Sequence, residues 1–237
     1  MRRGERFACA FVAAVALLGA GVAGAAGPRQ TGSFAFTSTV PGTPTGNVLH
    51  VEFQNPDDPQ LKPYAAARMV IHIPPGTITD TTVPPQCHAT DAEIYALGPA
   101  ACPGDSWIGS GDAYADQGNG TESHSILTHF NNQDEVVGIG VVEDMQLIKT
   151  IDRTKLENGT STSNFPLFPG APPPEPYTPV KRLDITFPPY VRDGRAYTTT
   201  PPACPKSGHW TFLVDFTYRD GVTETIESHS PCVKKAK

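Results

Sequence analysis

Long apolar runs are nearly absent from this 237-residue chain, and so are clusters of basic charge. Beyond the N-terminal stretch, nothing approaches the ~18 consecutive apolar residues of a membrane helix. Only 18% of residues are charged, and acidic side chains outnumber basic ones, 24 to 18. Beyond the N-terminal stretch, Lys234, Lys235 and Lys237 at the tail form the one basic group. Nucleic acid is therefore not an expected partner, because phosphate binding depends on grouped cations. The five cysteines never fall in the close pairs of a zinc site. No GxSxG elbow of an α/β-hydrolase occurs. Long helices are excluded by 25 prolines, since each one removes an amide donor and clashes with the preceding turn.

What is present begins with MRRGERF and then ACAFVAAVALLGAGVAGAAG. A basic start, a short apolar run and the small residues Ala23-Gly24-Ala25 read as a cleaved signal peptide over 1–25. Arg2-Arg3 lacks the context of a twin-arginine signal, so general secretion is expected. Cys9 would leave with the signal. Removing Arg2, Arg3, Arg6 and Glu5 makes the mature chain two units more negative than the −6 of the whole sequence. The expected product is extracellular, with no membrane span after cleavage.

Residues 26–237 read as a single all-β domain, an antiparallel β-sandwich (immunoglobulin-like or jelly-roll-like) with one short disulfide-pinned helix. Period-2 alternation carries this. Trp210, Phe212, Val214, Phe216 and Tyr218 share one face, and Asp220-Gly221 supplies a hairpin turn. Further strands are expected at 33–38, 47–53, 68–73, 125–130, 136–142 and 182–187. MVIHIPPGTITDTTVPPQC (69–87) and LDITFPPYVRDGRAYTTTPPAC (183–204) share an order of features: strand, Pro-Pro, polar segment, Pro-Pro, cysteine. Duplicated halves or chance in a proline-rich chain both account for it. A Pro-rich connector, 166–180, separates the two.

Cys87, Cys102, Cys204 and Cys232 survive processing and point to two disulfides. Three pairings exist; local geometry favours Cys87–Cys102 and Cys204–Cys232. After Cys87, Thr90 and Glu93 form a capping box, Asp91 suits a helix N-terminus, and Gly98 can close the helix. Two turns are marginal alone, so a covalent staple is expected to hold them.

Candidate chemistry is sparse, and no catalytic residue, metal or cofactor is assigned. His50, Glu52 and His72 alternate away from apolar faces and form the one candidate ligand-binding group. His124 and His129 should face opposite ways. Gly104-Asp105-Ser106 has the GDS start of a secreted lipase family, but no Asp-x-x-His follows, and a turn beside a buried Trp107 is expected. Asp112 and Asp116 in GDAYADQGNG suggest an acidic calcium loop, although the EF-hand pattern fails at Ser123. Glu143 and Asp144 are adjacent carboxylates that should face apart on a strand. Asn119 and Asn158 have the form of glycosylation acceptors.

VEFQNPDDPQLKPYAAARMVIHIPPGT, PPQC, ACPGDSWIGSGDA and TPPACPKSGHWTF together resemble a group of uncharacterised exported β-sandwich proteins of high-GC Gram-positive bacteria. The resemblance implies export and a β fold; it carries no catalytic motif. The leading functional expectation is a secreted, non-catalytic binding or structural protein for a glycan or protein at the cell envelope. Tyr95, Tyr114, Tyr177 or Tyr190 would stack on sugars. The alternatives are a glycoside hydrolase-like enzyme with acid and base on separate strands, and a carrier of an apolar ligand.

Overall fold

The computed structural model describes residues 27–118, 121–143, 149–166 and 178–233. The segment expected to be a signal peptide, with Cys9, and Asn119, Asp144, Tyr177, the lysine-rich tail and most of the Pro-rich connector lie outside the described residues. The strands are β1 (Gln30–Phe36), β2 (Asn47–Phe53), β3 (Ala66–His72), β4 (Ile78–Thr79), β5 (Trp107–Gly118), β6 (Thr121–Asn132), β7 (Glu135–Val142) and β8 (Lys149–Glu157). They continue with β9 (Thr160–Asn164), β10 (Val180–Phe187), β11 (Val191–Arg192), β12 (Arg195–Ala196), β13 (Thr198–Thr199), β14 (His209–Tyr218) and β15 (Thr223–Pro231). One helix, α1 (Asp91–Leu97), precedes β5.

The all-β antiparallel class and the disulfide-pinned helix expected from the sequence are both present. Eleven strands join one continuous sheet in the order β1-β2-β10-β5-β6-β7-β8-β9-β3-β14-β15. The sheet curls until its two end strands meet. There, side chains replace a backbone ladder. Ser228 Oγ accepts from the Phe34 amide and donates to the Phe34 carbonyl, both at 2.9 Å. Ser230 Oγ accepts from the Phe36 amide at 3.1 Å. Arg29 clamps one end of the seam: its amide donates to Glu224 and its guanidinium to both oxygens of Asp220. The Val233 amide closes the other end on the Thr39 carbonyl.

The inner face beside the seam is filled. Phe34, Phe36, Phe53, Trp210, Phe212 and Phe216 are buried there. Phe34–Phe212, Phe36–Trp210 and Phe53–Phe216 meet edge to face, the arrangement the ring quadrupoles favour. The β14–β15 turn is a three-residue loop with Gly221 at φ +86, in place of the expected two-residue Asp-Gly turn. Asn158-Gly159 makes the β8–β9 hairpin turn with both residues at positive φ.

Both disulfides pair sequence neighbours as local geometry favoured: Cys87–Cys102 and Cys204–Cys232. Residues between Cys204 and His209 fold back, and the Cys232 amide donates to the Gly208 carbonyl. Helix α1 has its capping box, Thr90 with Glu93, and Gly98 follows at φ 64 with ψ −144, outside the left-handed helical region. Its one buried residue, Ile94, packs with Cys87, Cys102, Phe130, Val137 and Ile139. Arg153 ties it down further by donating to Asp91, Glu135 and the Ala89 carbonyl. A bridge between residues 15 apart adds about 3 kcal/mol by restricting the unfolded chain. So α1 roofs the outer face of β7, and β7 is buried on both sides.

The two sequence echoes meet in space, since β4 of the first pairs with β13 of the second. This ribbon, with Tyr197, crosses one end of the curled sheet. Two expectations change. Asp112 and Asp116 lie on strand β5, not in a cation-binding loop. Trp107 begins that strand at 39% exposure, where a buried residue was expected.

The seam generates a test. Ser228→Ala and Ser230→Ala each strand a buried backbone group of β1, and each should cost about 1–3 kcal/mol in urea unfolding. Amide exchange at Phe34 and Phe36 should accelerate in the respective variants, ahead of amides in β6 and β7.

Candidate functional site

Away from the seam, the inner face is underfilled. Local sequence contributes: strand pairing puts Gly109, Gly111 and Ala113 of β5 on the inner face, and VVGIGVV puts Gly138 and Gly140 of β7 there; Ala113, Gly138 and Gly140 line the space, while Phe187 and the β10 backbone crowd Gly109 and Gly111. Five inward positions on two strands thus carry little or no side chain. A cavity of about 170 Å³ remains inside the sheet. Its apolar wall includes Leu49, Met69, Ile71, Leu127, Leu183 and Ile185.

The cavity has a polar end. Register places Asn47 (β2), Phe187 (β10), His129 (β6), Gly138 (β7) and Asp152 (β8) in one row around the interior. Gly109 pairs with His129, and the Phe187 ring occupies the space that a Gly109 side chain would take. Gly138 separates the two titratable groups. A Cβ built there would stand 3.3 Å from His129 Cδ2, 3.4 Å from its Nε2 and 3.6 Å from Asp152 Cβ. The row lies at the end crossed by β4 and β13, since Thr79, Tyr197 and Thr198 also line the cavity.

His129 is 8% exposed, and its Nδ1 is buried with no hydrogen-bond partner. The tilted Phe187 ring is its aromatic neighbour, centroid to centroid 5.0 Å. Burial pushes its pKa down to about 4, so the ring is neutral at pH 7. Asp152 receives Thr154 Oγ1 at 2.6 Å and Ser163 Oγ at 2.7 Å, both on Oδ2. Burial raises its pKa above the ordinary carboxylate value, against the pull of these two hydroxyls and the Asn164 amide. Asn47 Oδ1, in the same row, is also buried and unpaired.

The residues singled out from sequence lie on the outer face. His50 Nδ1 meets Asp184 Oδ1 at 2.6 Å, with Glu52 at 3.9 Å from Nε2. His72 Nε2 meets Asp215 Oδ2 at 2.7 Å. His50 is on β2 and His72 on β3, which are not neighbours in the sheet, so the structure does not bring the two into one group by strand pairing. His124 faces out, opposite to His129 as expected, between Asp112 and Glu143 at 2.7 Å each. Tyr114 stacks on that His124 ring and lies under Arg182. Tyr190 donates to the Asp105 carbonyl, and Tyr95 is exposed on α1. Ser106 is buried and its hydroxyl donates to the Pro103 carbonyl, which leaves no free nucleophile at the GDS turn. Among the described residues, no three His, Cys, Asp or Glu side chains converge as a metal site.

Sequence parity alone turns His129 inward. What it lacked was the partner, because Asp152 reaches the same row only through the register of β7 with β8. The period-2 glycines of β7, Gly138 and Gly140, were the available signal of a thin inner wall.

The titration of His129 has a sign. Its folded pKa lies below the unfolded value near 6.5, so its contribution to stability is complete above pH 6.5 and is lost as pH falls toward 4. The loss amounts to about 3 kcal/mol over that window. Asp152, with its pKa raised, contributes a slope of the opposite sign above the unfolded carboxylate value. Urea unfolding of the wild type and His129→Phe between pH 7 and 4 should show a correspondingly flatter profile in the variant. Set against known proteins, the chain matches no family model, no curated protein and no solved structure.

Proposed function

We propose that this chain is an exported, non-catalytic binding protein that holds a small amphipathic molecule inside its curled sheet. The observation that carries this is the cavity itself: an apolar wall ending in a row of polar atoms, two of which, His129 Nδ1 and Asn47 Oδ1, have no partner. Unpaired buried polar atoms cost stability unless something satisfies them, and a ligand's polar end would do so. Ligand sites are commonly apolar concavities with a few placed polar groups. Of the three readings that the sequence allowed, the carrier is thus favoured over envelope binding through surface tyrosines: Tyr114 is engaged by His124 and Arg182. Export is supported by the N-terminal signal-like stretch and by two disulfides, which persist in oxidising surroundings.

Titration with N-phenyl-1-naphthylamine, uncharged at neutral pH, tests the reading. Fluorescence should rise and saturate at one site per chain. Gly138→Leu projects a side chain into the gap between His129 and Asp152 and should weaken binding at least about tenfold. Near-ultraviolet circular dichroism of the variant checks that the fold persists, since the new side chain also presses on His129. Unchanged affinity in that variant would place the probe elsewhere and defeat the proposal.

A further inference from the structure

The ligand's polar end can be specified from the chemistry of the interior row, given the cavity-binding reading above. Asp152 is an inward carboxylate whose hydrogen bonds come from uncharged hydroxyls, Thr154 and Ser163. The neighbouring cation, Arg153, faces the other side of the sheet and is engaged by Asp91 and Glu135. His129 is neutral and supplies no countercharge. Among the described residues, no ion pair involves Asp152. A half-buried carboxylate without a cation is costly, and pairing with one offsets that cost.

Beside the carboxylate, a neutral imidazole offers one lone pair and one N–H, and Asn47 presents an unpaired Oδ1. The one charge in the row is negative, and its carboxylate and amide oxygens are acceptors. A hydroxyl brings one donor. A carboxylate brings none and would be repelled by Asp152. An ammonium group brings three donors, a positive charge and no acceptor to leave unpaired. His129, Gly138 and Asp152 line the cavity together, so a compact head group entering it meets both titratable groups, and the aliphatic wall suits an unbranched body.

We propose that the interior site selects aliphatic primary amines, with the ammonium group against Asp152 and the chain along the apolar wall.

Isothermal titration of the oxidised chain with n-octylamine, 1-octanol and octanoate at pH 7 separates the classes. Octylamine should bind at least about tenfold more tightly than 1-octanol, the scale of a charge-assisted hydrogen bond, and octanoate should not compete. Asp152→Asn should remove the preference for the amine while leaving octanol binding in place, with near-ultraviolet circular dichroism checking the fold. If that variant does not fold, the wild type serves. Its affinity for octylamine, but not for octanol, should fall as pH is lowered from 7 toward 4. Octanol or octanoate binding as tightly as octylamine would overturn the amine assignment and leave the cavity reading standing. So would binding of N-phenyl-1-naphthylamine that none of the three displaces. Failure of every compound, the naphthylamine included, would overturn both.

Discussion

Everything inside this molecule depends on how its sheet ends. A sheet of eleven strands has two edges, and each edge carries a row of backbone groups that seek partners. Here β1 and β15 come together, and serine hydroxyls stand in for part of a missing ladder. A hydroxyl both donates and accepts, so Ser228 satisfies the amide and the carbonyl of one residue at once. The large aromatic side chains sit directly behind this line, where β14 faces β1. Hydrophobic burial and edge satisfaction thus act at the same place, and the remaining strands are free of the duty of filling the interior.

That division explains why one half of the inner face is packed and the other is not. Gly138 and Gly140 on β7 and Ala113 on β5 keep the wall of the space thin. Glycine in a strand is unfavourable on entropic grounds and offers nothing to pack. On β7 the compensation comes from outside. Val137 and Ile139 point away from the cavity into a second small core under α1. A wall that is thin on one side is thick on the other.

Much of the fold was legible in the sequence, because period-2 alternation survives wherever one face is buried. Trp210–Tyr218 and Asn47–Phe53 are clear cases. Thr90 and Glu93 announced the helix start, and the four cysteines paired with their neighbours. Strand β5 was hidden because its inward residues are Gly and Ala, which give no apolar period and read as a turn followed by an acidic loop. Strand β9, TSTSN, lacks any apolar residue. The interior row was beyond sequence reasoning for a different reason. His129 and Asp152 lie 23 positions apart and meet only through a shared neighbour, Gly138, whose role is to have no side chain. The histidines that drew attention, His50 and His72, alternate outward and are each met by a carboxylate across the strands.

The roof over β7 has one more implication. Helix α1 is too short to persist by itself, and its seat relies on the Cys87–Cys102 bond together with Ile94 and Arg153. The strand beneath it is the one that lends the interior its emptiness. Stiffness of the hollow is therefore governed from the exterior, by a crosslink that touches none of the hollow's contents. A chain with those two sulfurs still reduced would keep the same lining with a weaker brace behind it, since Ile94 and Arg153 alone would then hold the roof.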